Sequence, residues 1–250
     1  MKTYLHLIIF GLLSAGGNLL GGLFIGDGQT AGRIGLRRLV ALGAGFMLAT
    51  VILEALPRIA ELSGGEMTGA MIWMLGGYLL IQFAEHALAA HLHFGEEMHA
   101  AEIGRPGAAV TAVIGLSIHA FFDGVTIASG LLTNLRLGIF LSLAVLLHKL
   151  PEGFTVASIM LSAGRTREAA RRATIYIALA TFAGIVLVIL TQPLVAYMLP
   201  LSAGVTLYVA ASDLIPEVNR EGGTRSSLFI LGGVALFCLV HLLLHETLGV

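Results

Sequence analysis

Eight apolar runs of about 20 residues, near 4–25, 36–57, 67–91, 108–132, 137–161, 171–191, 195–214 and 227–248, dominate this chain. An α-helix of that length crosses the roughly 30 Å hydrocarbon core of a bilayer. Composition agrees: 57% of the residues are hydrophobic and 12% charged, against about 25% charged in a soluble domain. Polar, charged or Gly/Pro-containing loops separate the runs, although only Thr191, Gln192 and Pro193 divide the sixth from the seventh. The expected fold class is all-α, a polytopic membrane protein of eight transmembrane helices. No stretch between the runs is long enough for a separate soluble domain, so residues 1–250 read as one transmembrane domain.

The first run follows Lys2 and in that respect looks like a signal peptide. Its apolar character continues from Tyr4 to about Phe24, which is long for a signal core, and it reads as the first span. Loop charge then sets the orientation. With the N-terminus outside, the inside loops hold Arg33, Arg37, Arg38, Arg105, Arg165, Arg167, Arg171, Arg172, Arg220 and Arg225. The outside segments hold Lys2, Arg58 and Arg136, and the remaining base, Lys149, lies inside a span. Ten against three fits the positive-inside rule for eight spans with both termini outside; a seven-span count would put the termini on opposite sides. The expected location is an integral protein of the plasma (inner) membrane. The formal net charge of −1 gives no sign of a nucleic-acid partner. One cysteine, Cys238, excludes an intrachain disulfide and a cysteine-based zinc site. The 32 glycines suit close approach of helices.

Two spans repeat a pattern. The fourth reads His119-Ala-Phe-Phe-Asp123-Gly124-Val-Thr126-Ile-Ala128-Ser129, and the fifth His148-Lys149-Leu-Pro151-Glu152-Gly153-Phe-Thr155-Val-Ala157-Ser158. Both are H-x-x-x-[DE]-G-x-T-x-A-S. Residues i and i+4 share one helix face, so each helix presents one imidazole and one carboxylate. Two such helices face to face offer His119, Asp123, His148 and Glu152, a donor set that suits Zn²⁺ and other borderline divalent metals. Pro151 frees a backbone carbonyl one turn earlier, near Leu147, and predicts a kink. Gly124 and Gly153 allow close packing beside the ligands.

A buried histidine is more often a hydrogen-bonded core residue than a ligand, and an intramembrane carboxylate often pairs with a base. Lys149 stands at i+3 from Glu152 for that purpose. Against this, ionisable groups at the membrane centre cost about 2.5–3.5 kcal/mol each on insertion scales. Four of them plus Lys149 on two adjacent spans are a heavy cost for structure alone, which favours an ion pathway.

At these residues the chain resembles the ZIP (Zrt/Irt-like) family of divalent metal transporters. The family's fourth-helix H-[NA]-x-x-[DE]-G and fifth-helix H-x-x-P-E-G motifs match His119 to Gly124 and His148 to Gly153. Gly43 to Ala49, with Glu54 and Pro57, resembles its second helix. Ser202-Ala-Gly204, Leu207-Tyr208-Val-Ala and Asp213-Leu-Ile-Pro216-Glu217 resemble its seventh. The resemblance covers essentially the whole chain. It implies a 3+2+3 arrangement, in which spans one to three are related to spans six to eight by inverted repeat, with the site on the central pair. It implies transport of zinc, and also of iron, manganese or cadmium, towards the cytoplasm. No catalysis and no cofactor are expected, the metal being cargo, and no Gly-rich phosphate loop is found.

Members with a two-metal site carry Asn after the first His and a further ligand after the second. Here these positions are Ala120 and Lys149, and span six lacks a carboxylate. The chain is therefore similar to prokaryotic-type members with a lysine in the helix-five motif, which implies a single-metal site. The Lys149 ammonium then stands where a second cation would sit, or else neutralises Glu152 or Asp123.

Other residues are candidates for the pathway. Glu85 and His86 end span three, and His91, His93, Glu96, Glu97, His99 and Glu102 follow in the inside loop, either as a weak metal-collecting path or as a solvated loop. Asp213 and Glu217 lie one turn apart at the inner end of span seven, to line the exit or to solvate the helix end. Glu54 on span two is positioned to orient ligands or to pair with a base. His241, His245 and Glu246 at the end of span eight read as interfacial. A membrane-embedded zinc hydrolase is the competing function, since it needs similar ligands. It lacks H-E-x-x-H here, and the paired motif favours a symmetric pathway. The expected partners are divalent metal ions and the lipid bilayer; a homodimer is compatible with the sequence.

Overall fold

A computed structural model describes residues 2–23, 30–88 and 108–248. Every regular element among them is helical, and eight helices are long and apolar enough to cross a membrane. They are Thr3–Leu23, Gly35–Leu62, Met67–Ala84, Ala109–Thr133, Leu135–Ser162, Arg167–Leu190, Gln192–Asn219 and Thr224–Glu246, spans one to eight. Spans two and seven run about five residues past their expected inner or outer ends. Each continues through a π-helical turn, Val51–Ala55 in span two and Val209–Leu214 in span seven, and each then carries a proline just beyond it, Pro57 and Pro216. Pro57 falls at the first positions of the following helical segment, where a missing N–H is tolerated.

Glycine decides which helices touch. A Cβ on Gly153 would overlap the Asn18 carbonyl oxygen, and one on Gly21 the Leu150 oxygen, so spans one and five meet backbone to backbone. The same reciprocity joins spans four and six (Gly124 against Thr181, Gly184 against Phe121). It recurs between spans two and eight (Gly45 against Ile230, Gly233 against Leu42) and between spans three and seven (Gly77 against Leu201, Gly204 against Met74). In lipid there is no hydrophobic gain from associating apolar helices, so this close approach of small residues supplies the packing.

Side chains assemble the pairs into two sets. Leu7, Val125, Ile127, Leu131, Val145, Ile185 and Val188 form a core shared by spans one, four, five and six. Phe46, Met47, Ile81, Tyr208, Val209, Leu214 and Phe237 form another among spans two, three, seven and eight, against which Phe140 and Ala144 of span five pack. The apolar windows of spans two, four, five and seven are 56%, 50%, 61% and 56% buried, against 22% for span three and 11% for span eight, so the motif-bearing helices lie among the interior ones. The outer faces carry exposed Leu5, Ile8, Leu12, Ile72, Leu75, Phe83, Leu179, Leu190, Leu231 and Leu242, as lipid-facing surfaces require.

Candidate metal site

The matched i, i+4 pairs of spans four and five meet in the interior. One ligand atom from each of His119, Asp123, His148 and Glu152 lies within 4.8 Å of the others, and all four residues are buried. His119 Nε2 is 3.4 Å from His148 Nε2. Asp123 Oδ2 is 3.5 Å from His119 Nε2 and 3.3 Å from His148 Nε2. Two donors at Zn–N distances of about 2.0–2.1 Å in tetrahedral geometry stand roughly 3.3–3.4 Å apart, so the imidazole spacing suits one shared ion.

Span five orients its own ligand. The Nδ1 of His148 lies 3.0 Å from the Ala144 carbonyl, one turn back. An N–H donated there fixes the tautomer and leaves the Nε2 lone pair for a metal. The helix runs on through Pro151, whose ring nitrogen cannot donate to the carbonyl of Leu147. Gly124 and Gly153, directly after the two carboxylates, are the points of backbone contact with spans six and one, as the sequence leads one to expect.

Lys149 is wholly buried and bridges the carboxylates: its Nζ is 2.6 Å from Asp123 Oδ2 and 2.5 Å from Glu152 Oε2. It pairs with both acids rather than with Glu152 alone. The other Glu152 oxygen, Oε1, is buried without a hydrogen-bond partner. An orphaned carboxylate oxygen is expensive in a dry interior and fits a site built for a cation.

The remaining candidates do not join this cluster. Glu54 pairs with Arg136, at 3.1 Å, and so takes the base-pairing role that the sequence offered. Asp213 is buried within the π-helical turn of span seven, and Glu217 is half-buried one turn on. His86 is exposed, with Nδ1 2.9 Å from the Gln82 carbonyl. The Glu85 side chain and His91, His93, Glu96, Glu97, His99 and Glu102 fall outside the described residues. His245 and Glu246 are exposed, but His241 is half-buried against Arg136. Sequence reasoning missed Ser14 and Asn18 on span one. Both are fully buried, and neither the Ser14 hydroxyl nor the Asn18 amide finds a hydrogen-bond partner. Polar side chains four residues apart in an apolar run were the available signal.

The profile described as ZIP zinc transporter matches residues 95–241, more than half of the chain. The chain belongs to the ZIP zinc transporter family. This ZIP chain is 30% identical over 137 residues to the zinc transporter SLC39A7 of Rattus norvegicus, covering 49% of the chain and 29% of that protein. It is 30% identical over 176 residues to zinc transporter ZIP9 of Micropogonias undulatus, 64% of the chain and 55% of the relative. The match to zinc transporter ZIP9-A of Xenopus laevis is also 30%, over 162 residues, 58% of the chain and 52% of the relative. The ZIP chain thus spans about half the length, or less, of these relatives. The family is one of transporters rather than enzymes, which weighs against the hydrolase alternative.

Proposed function

We propose that this ZIP chain carries divalent transition metals, zinc foremost and also iron, manganese or cadmium, across the membrane towards the cytoplasm. The observation that carries the reading is the convergence of four buried ligand atoms, within 4.8 Å, from two interior helices. Two imidazoles and two carboxylates are a borderline-metal donor set. Kinship with proteins named zinc transporters supports zinc as the first cargo.

His119, Asp123, His148 and Glu152 are the ligands in this reading, and the site holds one metal. Lys149 is the prokaryotic-type substitution that makes it so: its ammonium takes up the side of Asp123 and Glu152 that a second ion would need. Asp213 and Glu217 are assigned to the inner path. All four ligands come from one chain, so a homodimer is not needed for the site.

The paired glycine contacts support the inverted 3+2+3 relation. Exchanging spans one, two and three for six, seven and eight, and four for five, turns the one–five pair into six–four and the two–eight pair into seven–three. The π-helical turns of spans two and seven exchange in the same way. The arginine bias of the loops supports both termini outside in a plasma (inner) membrane, with residues 1–250 as one transporter domain.

Purified protein in sealed vesicles tests the reading. Zinc flux without any added substrate is expected, with loss on replacing His148 or Glu152. A folded protein that moves no divalent metal would overturn it.

A further inference from the structure

A second cluster of ionisable side chains joins spans two, five and eight. Arg136 Nε lies 3.1 Å from Glu54 Oε1, and Arg136 Nη2 lies 3.3 Å from Glu54 Oε2. The same Nη2 is 3.0 Å from His241 Nδ1 and 3.1 Å from its Nε2. His241 Nδ1 is in turn 3.7 Å from Glu54 Oε2. The imidazole packs against Phe140 and Phe237, with centroids 6.1 and 5.9 Å apart. The side chains of Glu54 and Arg136 are only 11% and 17% exposed, so water screens the pair weakly. Glu54 sits in the π-helical turn Val51–Ala55, and such turns are frequent at functional positions.

The location gives the cluster its meaning. Arg136 is at the very start of span five, two residues after the Asn134 cap, so the cluster lies at one end of the bundle. Its sequence neighbours form an apolar seal: Ala55 beside Glu54 and Leu137 beside Arg136 pack with Ile59, Leu141, Leu199 and Ala203. Arg136 belongs to the set of spans one, four, five and six, while Glu54 and His241 belong to the set of spans two, three, seven and eight. Within each set, helices touch through backbone at glycine. Between the sets at this end, contact is made by side chains. A side-chain interface separates more readily than glycine-to-carbonyl packing.

We propose that Arg136, Glu54 and His241 form a latch that holds this end of the helix bundle closed, and that the latch opens whenever the four-ligand site becomes accessible from that end. A guanidinium fork can hold a carboxylate and an imidazole from two different helices at once, which a single-point cation cannot. Opening requires both contacts to break and the charges to be rehydrated. The inference goes beyond the transport reading and does not depend on which ion, if any, is carried.

Thiol labelling in detergent tests it without metal. In a Cys238→Ala background, Ala203→Cys places a reporter inside the apolar seal, where the native residue is 1% exposed. A polar maleimide reads how often that end opens. Arg136→Gln and Glu54→Gln are each expected to label about tenfold faster than the background, a shift of roughly 1.4 kcal/mol. The exchange Glu54→Arg with Arg136→Glu is expected to restore slow labelling. Background rates in both single variants, or an exchange variant as fast as the singles, would overturn the latch. If the neutral variants do not fold, Arg136→Lys carries the test: faster labelling supports the latch, and the background rate overturns it.

Discussion

Lys149 Nζ lies 2.6 Å from Asp123 Oδ2, so an ion pair between spans five and four passes through the ligand cluster itself. An ion held by the proposed ligands would therefore compete with Lys149 for the same carboxylate oxygens. A site of two acids and two imidazoles without a resident base would hold a divalent ion tightly. A carrier needs an ion that binds well enough to enter and leaves on the far side.

Replacing ligands one at a time probes the cluster directly. His148→Ala and Glu152→Ala are expected to abolish zinc flux in vesicles, by at least about tenfold each, which corresponds to roughly 1.4 kcal/mol of lost binding. Glu152→Ala also removes the Oε2 contact with Lys149, which keeps its pair with Asp123, so the melting temperature of each variant is measured beside its flux. Uptake at the wild-type rate in either folded variant would remove that residue from the site.

Gly153 separates helix packing from ligation. A Cβ at this position has no room beside the Asn18 backbone. Gly153→Val forces spans one and five apart and shifts the adjacent Glu152. Overpacking of this kind costs about 1–3 kcal/mol, and the melting temperature of the purified protein should fall accordingly. The comparison is Gly16→Val, where a Cβ meets nothing within 4 Å. Equal melting of the two variants would refute the packing account.

The loop after span three should tune flux without being required for it. Its histidines lie outside the expected bilayer, where water competes for the metal. His91→Ala, His93→Ala and His99→Ala together should shift apparent affinity or rate by a few-fold. Complete loss of zinc uptake in a well-folded triple variant would show that the path runs through them.

The sequence made the eight spans and the clustering of the four His and carboxylate side chains legible because both follow from short-range rules. Helix periodicity puts His119 beside Asp123 and His148 beside Glu152, and a repeated motif implies that the two faces meet. Long-range pairing is different. That Arg136 would take up Glu54 and His241, residues 82 and 105 positions away, depends on how spans two, five and eight converge. No local pattern encodes that convergence. The same holds for Lys149. Its i+3 pairing with Glu152 is written in the sequence, but its contact with Asp123 needs the approach of span four. Asn18 is a weaker case: its i+4 spacing from Ser14 is a sequence signal, but two polar groups in an apolar run are common, and their complete burial is what marks them.

Lys149→Ala tests the competition most sharply. In the wild-type chain an arriving ion must displace an ammonium held at 2.6 and 2.5 Å by two carboxylates. Without Lys149, those carboxylates face one another in a buried site with no countercharge. Removing one partner of a buried pair destabilises by about 3–5 kcal/mol, so the metal-free variant should melt well below wild type. A divalent ion would supply the missing charge. Zinc should then raise the melting temperature of the variant far more than that of the wild type, and titration should show tighter binding, by about tenfold or more. Flux should fall at saturating zinc because release becomes slow. Counting bound metal per chain completes the test. One ion per wild-type chain and a second gained only with Ala120→Asn plus Lys149→Asp are expected. If wild type already binds two ions in the membrane, or if Lys149→Ala changes neither affinity nor turnover, the lysine is only a structural countercharge.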